Sequence, residues 1–238
     1  IAGINATIVD LKILYVELNS TIYYNPAQVA SASNLRTTIV SSLDNYARNI
    51  EINKFGGRFK YSKLNTLIDR VDNGITSNIT KVIIRRDLKA LLNQFAQYEL
   101  CFGNRFYINP AGYNIKSTGF TVSGSNETAF LTDVPNKDAS GNLDGSMKGT
   151  LSVVFKNQRD KQQVLIKDAG IVDYKKGEII LNTINITSTA AENNIIEVQA
   201  FPESNDVVGL KDLYLSFDVS KSTINMFKDV IASGEDVS

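Results

Sequence analysis

The hydrophobic periodicity of this chain changes near Tyr98, and this change constrains the fold more than any other feature. Before it, two apolar stripes at helical spacing lie between β-rich segments; after it, apolar and polar residues alternate with a period of two. We therefore predict an α+β protein with an N-terminal strand-helix-helix-strand domain followed by a mainly antiparallel β-sandwich-like domain. The predicted boundaries are residues 1–96 for the α+β domain, 97–222 for the all-β domain and 223–238 for a short C-terminal tail.

The N-terminal part carries clear start and stop signals for its elements. Residues 6–24 are rich in β-branched and aromatic types and predict a strand. A first helix should begin after Ser31 or Ser33 as N-cap, and a second helix should have Ser62 as N-cap and Gly74 at its C-terminal end. The helical stripes consist of Leu35, Ile39, Leu43, Tyr46, Ala47 and Ile50 in the first helix, and of Leu64, Leu67, Ile68 and Val71 in the second.

The remaining segments complete the predicted order of elements. Residues 79–86 should return as a strand, and apolar spacing over 88–95 predicts a further helical turn or two. Short alternating runs separated by turn signals are typical of an antiparallel sandwich. The strands predicted for the second part are residues 98–107, 119–122, 129–131, 150–156, 163–166, 171–174, 178–186, 195–201 and 213–219.

Composition excludes several classes of function. The 238 residues include 25 Lys plus Arg and 25 Asp plus Glu, so the net charge of +0 argues against a nucleic-acid or membrane-surface partner. The chain has no histidine and one cysteine, which excludes Ser-His-Asp catalysis, His-ligated metals, multi-cysteine zinc sites and an internal disulfide. We predict that the protein is not an enzyme and needs no cofactor or metal, and that Cys101 is a buried thiol.

Three local patterns suggest chemistry, and each has a simpler explanation. Residues 138–144 alternate oxygen-bearing side chains, but their glycines do not fit a calcium loop, so a solvated hairpin loop is favoured over calcium. Gly56 and Gly57 precede a helix as in anion sites, yet no Gly-Lys-Ser/Thr follows, which favours a tight turn between helices. Paired carboxylates of a glycosidase have no surrounding motif here.

The same residues supply candidates for a protein interface. Phe55 and Phe59 flank the glycine turn and should be anchored in the core or in an interface, and Arg85 and Arg86 could contribute to an interface rim. The predicted interface residues are Phe55, Gly56, Gly57, Arg58, Phe59, Arg85 and Arg86.

The block from residue 55 to residue 88 resembles a known family. It contains FGGRFKYSK at 55–63, LID at 67–69, ITSNIT at 75–80 and RRDL at 85–88. These motifs are similar to the large baseplate wedge protein family of T-even-type contractile-tailed bacteriophages, which is related to J-like baseplate proteins. Supporting similarities lie at residues 15–21, 102–104, 172–174 and 177–179, so the resemblance extends through most of the chain.

The resemblance implies assembly rather than catalysis. It implies a structural virion protein of the tail baseplate, a late protein made and assembled in the host cytoplasm, and represented here by its C-terminal part. Its implied partners are a second copy in a homodimer, other baseplate wedge proteins and neighbouring wedges in the baseplate ring, which changes shape at host attachment. The chain begins at Ile1 without a methionine, and we expect it to be a fragment of a longer protein.

Two alternatives stay open on the residues alone. The β-rich half and its tyrosines and phenylalanines would suit a tail-associated carbohydrate- or receptor-binding module, although tryptophan is absent. A tail-associated hydrolase with paired carboxylates is the other alternative.

Overall fold

The computed structural model describes residues 12–48 and 51–230, which form two α-helices and fifteen strands. The helices are α1 (Ala32–Ala47) and α2 (Tyr61–Asp69). The first seven strands are β1 (Ile13–Tyr24), β2 (Lys54–Phe55), β3 (Arg58–Phe59), β4 (Ile75–Lys89), β5 (Phe95–Cys101), β6 (Lys116–Ser117) and β7 (Phe120–Val122). The others are β8 (Ala129–Pro135), β9 (Lys148–Lys156), β10 (Gln162–Asp173), β11 (Glu178–Thr189), β12 (Ile195–Ala200), β13 (Val207–Val208), β14 (Tyr214–Phe217) and β15 (Thr223–Lys228).

The first sheet is built around the long antiparallel pair of β1 and β4. Its strand order is β2-β14-β1-β4-β12-β6, and β15 also pairs with β1. Both β14 and β15 run parallel to β1 along the same edge, β14 beside its first residues and β15 beside its last. The two helices cover one face of this sheet, where alternate residues of β1 such as Leu14, Val16 and Ile22 are fully buried.

Both predicted helices are present, and their buried residues belong to the predicted apolar stripes. Of the two N-cap predictions, only the one for α1 is confirmed. Ser31 caps α1 by accepting a hydrogen bond from the N–H of Asn34. The predicted cap of α2 is wrong, because the helix starts at Tyr61 and its first N–H donates to Asp206 Oδ1 at 2.8 Å. A carboxylate from a distant loop thus takes the role that the local sequence predicts for Ser62.

Gly74 and the segment 88–95 also differ from the prediction. The second helix ends at Asp69, so Gly74 lies in the following turn, where its carbonyl accepts from the N–H of Asn25. The predicted helical piece over 88–95 is absent: Leu88 pairs with Ile196 inside β4, and Phe95 opens β5. Pairing with distant β12 overrides the local spacing.

The second sheet closes on itself. β7, β8, β9, β10 and β11 each pair with the next, and β11 pairs back with β7, while β5 lies on the other edge of β11. The fold is therefore α+β, as predicted, but with a barrel-like sheet rather than the expected sandwich. Closure becomes possible because β10 and β11 are long strands with register shifts, which let each strand bend between two partners.

The sheets do not follow the predicted ranges 1–96, 97–222 and 223–238. β12, β14 and β15 come from the second half of the chain but belong to the first sheet, and residues 223–228 form a strand instead of a tail. The buried apolar residues of both sheets form one continuous cluster.

The first residues of the predicted opening strand, 6–11, and Ile50 of the first stripe lie outside the described residues. No helix in the described part of the chain is long and apolar enough to cross a membrane.

Candidate assembly surface

One face of the first sheet carries no helix, and we call it the open face. Because side chains alternate along a strand, it is formed by the odd-numbered residues of β1 and their neighbours in register on β4, β12, β14 and β15. These residues are Tyr15, Glu17, Asn19, Thr21 and Tyr23 on β1, Ile79, Lys81, Ile83, Arg85 and Asp87 on β4, Glu197 and Gln199 on β12, Tyr214 and Ser216 on β14, and Thr223, Asn225 and Phe227 on β15.

Arg85 lies at one end of the open face in a dense ionic cluster. Arg85 is 3% exposed, and its guanidinium donates to Glu17, to Asp87 and, at 2.9 Å, to Asp218. Glu197 lies 3.7 Å away, and the Tyr15 ring stacks on the guanidinium carbon at 4.0 Å. Lys221 pairs with Glu197 at 2.8 Å, so two cations meet four carboxylates and the cluster has a formal charge of −2.

The environment shifts the proton affinities in this cluster. Burial raises the pKa of Glu17 despite the hydrogen bond from Arg85, which acts in the opposite direction. Burial alone would lower the pKa of Arg85, but the hydrogen bond to Glu17 and the charge of Asp87 outweigh it and raise that pKa. Arg85 therefore stays charged, and Glu17 also receives a hydrogen bond from the Gln199 amide at 2.6 Å.

The opposite end of the open face is apolar. Ile79 is 54% exposed and Phe227 51% exposed, and the Phe227 ring packs against Tyr23 with centroids 6.0 Å apart. Ile79 lies beside Thr21 in register. Exposed apolar and aromatic side chains are the kinds of residue that the cores of protein interfaces favour.

The glycine turn between the helices places its two phenylalanines differently. Phe59 is 1% exposed and packs edge-on against Phe217, whereas Phe55 is 51% exposed and packs edge-on against Tyr214, with centroids 5.5 Å apart in both pairs. Since Phe55 is opposite Tyr214 in register, its side chain extends the open face across the edge strand β2.

The two glycines meet different requirements in this turn. Gly56 has a φ of +62°, and no atom lies near the position of a Cβ. A Cβ on Gly57 would lie 2.1 Å from the carbonyl oxygen of Ile52, so only glycine fits there. Arg58 is exposed and opposite Val208 of β13 in register, with exposed Leu210 nearby.

The predicted interface residues are thus only partly brought together. Phe55 and Arg85 share the open face, and Arg58 is exposed beside the glycine turn, whereas Phe59 is part of the core. Arg86 points away from the open face and donates Nη1 to the carbonyl of Cys101 at 2.8 Å. Cys101 itself is half-buried rather than fully buried.

Sequence reasoning missed the carboxylates that surround Arg85. Glu17 occupies an outward position of an alternating strand, and a buried charge there is visible only once Arg85 is opposite Tyr15 in register. Glu197 and Asp218 come from chain segments more than 100 residues away, and no motif marks them. Asp218 enters the cluster because the chain leaves β14 and loops out before β15.

The sequence pattern that suggests a metal site lies within the described part of the chain. No group of three or more Cys, Asp or Glu side chains is arranged to hold a metal ion there. Residues 138–144, for which the sequence favours a solvated loop over calcium, form a turn in which Asp138 Oδ1 accepts from the backbone N–H groups of Ser140 and Asn142.

Comparison with known families gives one match. Residues 12–87 match the family model described as "Baseplate structural protein gp6, C-terminal domain III". This range contains β1 to β4 and both helices, hence the helical face and much of the open face. The match supports a structural protein of a phage baseplate, located in the virion tail and interacting with other baseplate proteins, and it is consistent with a non-enzymatic role. No curated protein matches the chain.

Proposed function

We propose that this chain is an assembly domain of a baseplate wedge subunit of the T-even, J-like type in a contractile tail. The observation that supports this proposal most directly is the family match over residues 12–87, because the matched segment supplies β1 and β4 of the open face. In this proposal the chain pairs as a homodimer and links neighbouring wedges into the baseplate ring. The late protein is assembled in the host cytoplasm and takes part in the shape change at host attachment.

The open face is the surface that we assign to these contacts. It combines the buried charge cluster around Arg85 with exposed Ile79 and Phe227, so it offers both charged and apolar groups. A ring subunit needs a self-complementary patch for two-fold pairing or a head-to-tail patch for ring closure. Phe55 and Arg58 at the glycine turn would extend the surface along the edge of the sheet.

The first test is the mass of the purified chain in solution, measured by light scattering after gel filtration at several concentrations. We expect a dimer, and Ile79→Asp should shift it toward the monomer because a carboxylate would be buried against an apolar partner. Val164→Asp is the matched control, since Val164 is 60% exposed on β10 of the barrel and is not part of the open face. A monomer at all concentrations, or equal effects of the two variants, would contradict the assignment of pairing to this face.

A further inference from the structure

A second surface lies where the first sheet meets the barrel. Lys81, Tyr107, Lys116 and Phe201 line a cleft of about 560 Å³ together with Tyr113. A second cleft of about 390 Å³ is also lined by Tyr113 and Lys116, and its other lining residues include Phe130 and Val154 of the barrel. Because both clefts share Tyr113 and Lys116, we treat them as one groove and call it the tyrosine groove.

Tyr113 is held in a conformation that tyrosine rarely adopts. Its φ is +67°, in the left-handed region that favours glycine, and the side chain is 51% exposed. The preceding turn fixes it: the N–H of Gly112 donates to Asn109, and the N–H of Tyr113 donates to the carbonyl of Asp133 at 3.1 Å. The left-handed backbone conformation at Tyr113 therefore costs free energy, and it places an aromatic ring in solvent. Backbone strain of this kind is concentrated at functional positions.

The groove also has a one-sided charge. Lys81 and Lys116 both line it, and no carboxylate of the described residues comes within 4.0 Å of either ammonium group. The exposed ring of Tyr107 lies in the same cleft. In a chain whose total charge is balanced, two unpaired lysines beside exposed tyrosines favour an anionic ligand with apolar groups.

We propose that the tyrosine groove binds an extended acidic segment of another baseplate protein. The carboxylates of that segment would pair with Lys81 and Lys116, and its apolar side chains would pack on Tyr107 and Tyr113. This inference rests on the proposed function, since it takes the partner from the same assembly. The groove adjoins the open face and shares Lys81 with it, but the acidic Arg85 cluster of the open face does not line the groove.

The first experiment uses the purified chain and a short labelled peptide of alternating glutamate and leucine. We expect binding that weakens with salt and a Kd that rises about tenfold in Tyr113→Gly and in the double variant Lys81→Glu/Lys116→Glu. Tyr113→Gly should not lower the melting temperature, because glycine adopts the left-handed conformation without strain. Lys175→Glu, at an exposed lysine on the β10–β11 turn, is the control and should bind normally.

Three results of this experiment would overturn the proposal. These are no binding of the acidic peptide, unchanged binding by the groove variants, or preferential binding of an acidic oligosaccharide in the groove. The last result would instead support a receptor-binding module.

The second experiment tests the groove in assembled particles. Tyr107→p-benzoylphenylalanine allows photo-crosslinking, and we expect a crosslink to an acidic segment of a different protein that disappears when Lys81 and Lys116 are both changed to Glu. A crosslink to a second copy of this chain, or no crosslink in particles that contain the chain, would overturn the groove proposal alone. Particles that assemble without the chain would instead contradict the proposed function.

Discussion

At the scale of single residues, Arg85 shows how a charge can be buried in an open sheet face. Arg85 is 3% exposed, and a guanidinium buried in this way without partners would strongly destabilise the fold. Hydrogen bonds to Glu17, Asp87 and Asp218 replace the hydration that the guanidinium loses on burial. The guanidinium also stacks on the ring of Tyr15. The cluster has four carboxylates for two cations, so the ionised acids repel one another, and Glu17 is the most buried of them.

The raised pKa of Glu17 gives a prediction for pH dependence. A carboxyl with a folded-state pKa above its unfolded value contributes stability below the unfolded pKa, and that contribution is lost as pH rises through the folded pKa. Glu17→Gln removes this dependence while an amide flip of Gln199 can keep the hydrogen bond. We expect the melting temperature of Glu17→Gln, relative to the unchanged protein, to be higher at pH 8 than at pH 4.5.

Calorimetry across this pH range checks the expectation. Glu127→Gln serves as the control, because Glu127 is exposed in a turn. The difference in melting temperature between this variant and the unchanged protein should not depend on pH. If the melting temperature of Glu17→Gln relative to the unchanged protein stays constant with pH, or falls as pH rises, the cluster does not disfavour the ionised form of Glu17.

At the scale of elements, strand pairing connects the segment between α1 and α2 to the C-terminal quarter of the chain. β2 pairs with β14 and β3 with β13, so the six residues from Lys54 to Phe59 hold two strands from the C-terminal quarter. The N–H of Gly56 donates to Leu210 and that of Gly209 to Gly57, which locks the backbones of the two segments together. The two phenylalanines of the turn therefore pack in different places, Phe59 in the core and Phe55 on the surface.

Alanine substitutions at these two positions should separate the roles. Phe59→Ala should lower the free energy of unfolding by about 3–5 kcal/mol, because a fully buried ring leaves a cavity against Phe217. Phe55→Ala should cost about 1 kcal/mol, since half of its ring is already in water and one edge-on aromatic contact is lost. Chemical denaturation measures both, and equal losses would contradict the different placements.

At the scale of the whole molecule, buried polar contacts join the two sheets. Asn114 donates to the carbonyls of Tyr107 and Phe201 and accepts from the N–H of Phe201, just after β12. In the barrel, Asp133 accepts from the N–H of Ile115 and from the hydroxyl of Tyr174. Burial, and then the charge of Asp133, raise the pKa of Tyr174, so this phenol remains a donor. Together with the continuous core, these contacts favour cooperative behaviour.

A fragment ending at residue 96 should consequently not fold. It would retain β1 and β4 but lose β14, β15 and β12, the strands that pair with their outer edges. We expect an amide NMR spectrum of narrow dispersion for this fragment and a single unfolding transition for the intact chain. A well-dispersed spectrum would instead support the division into domains that the sequence predicts at residue 96.

The sequence by itself determined the α+β class, the two helical stripes, most strands of the second half and the glycine turn. These features depend on local periodicity and turn chemistry, which neighbouring residues specify. Only the tertiary structure decided that the second sheet closes into a barrel, that β15 extends the first sheet, and that Asp218 joins Arg85. Strand partners far apart in the chain are selected by burial and register, and no local pattern records which distant segment will supply them.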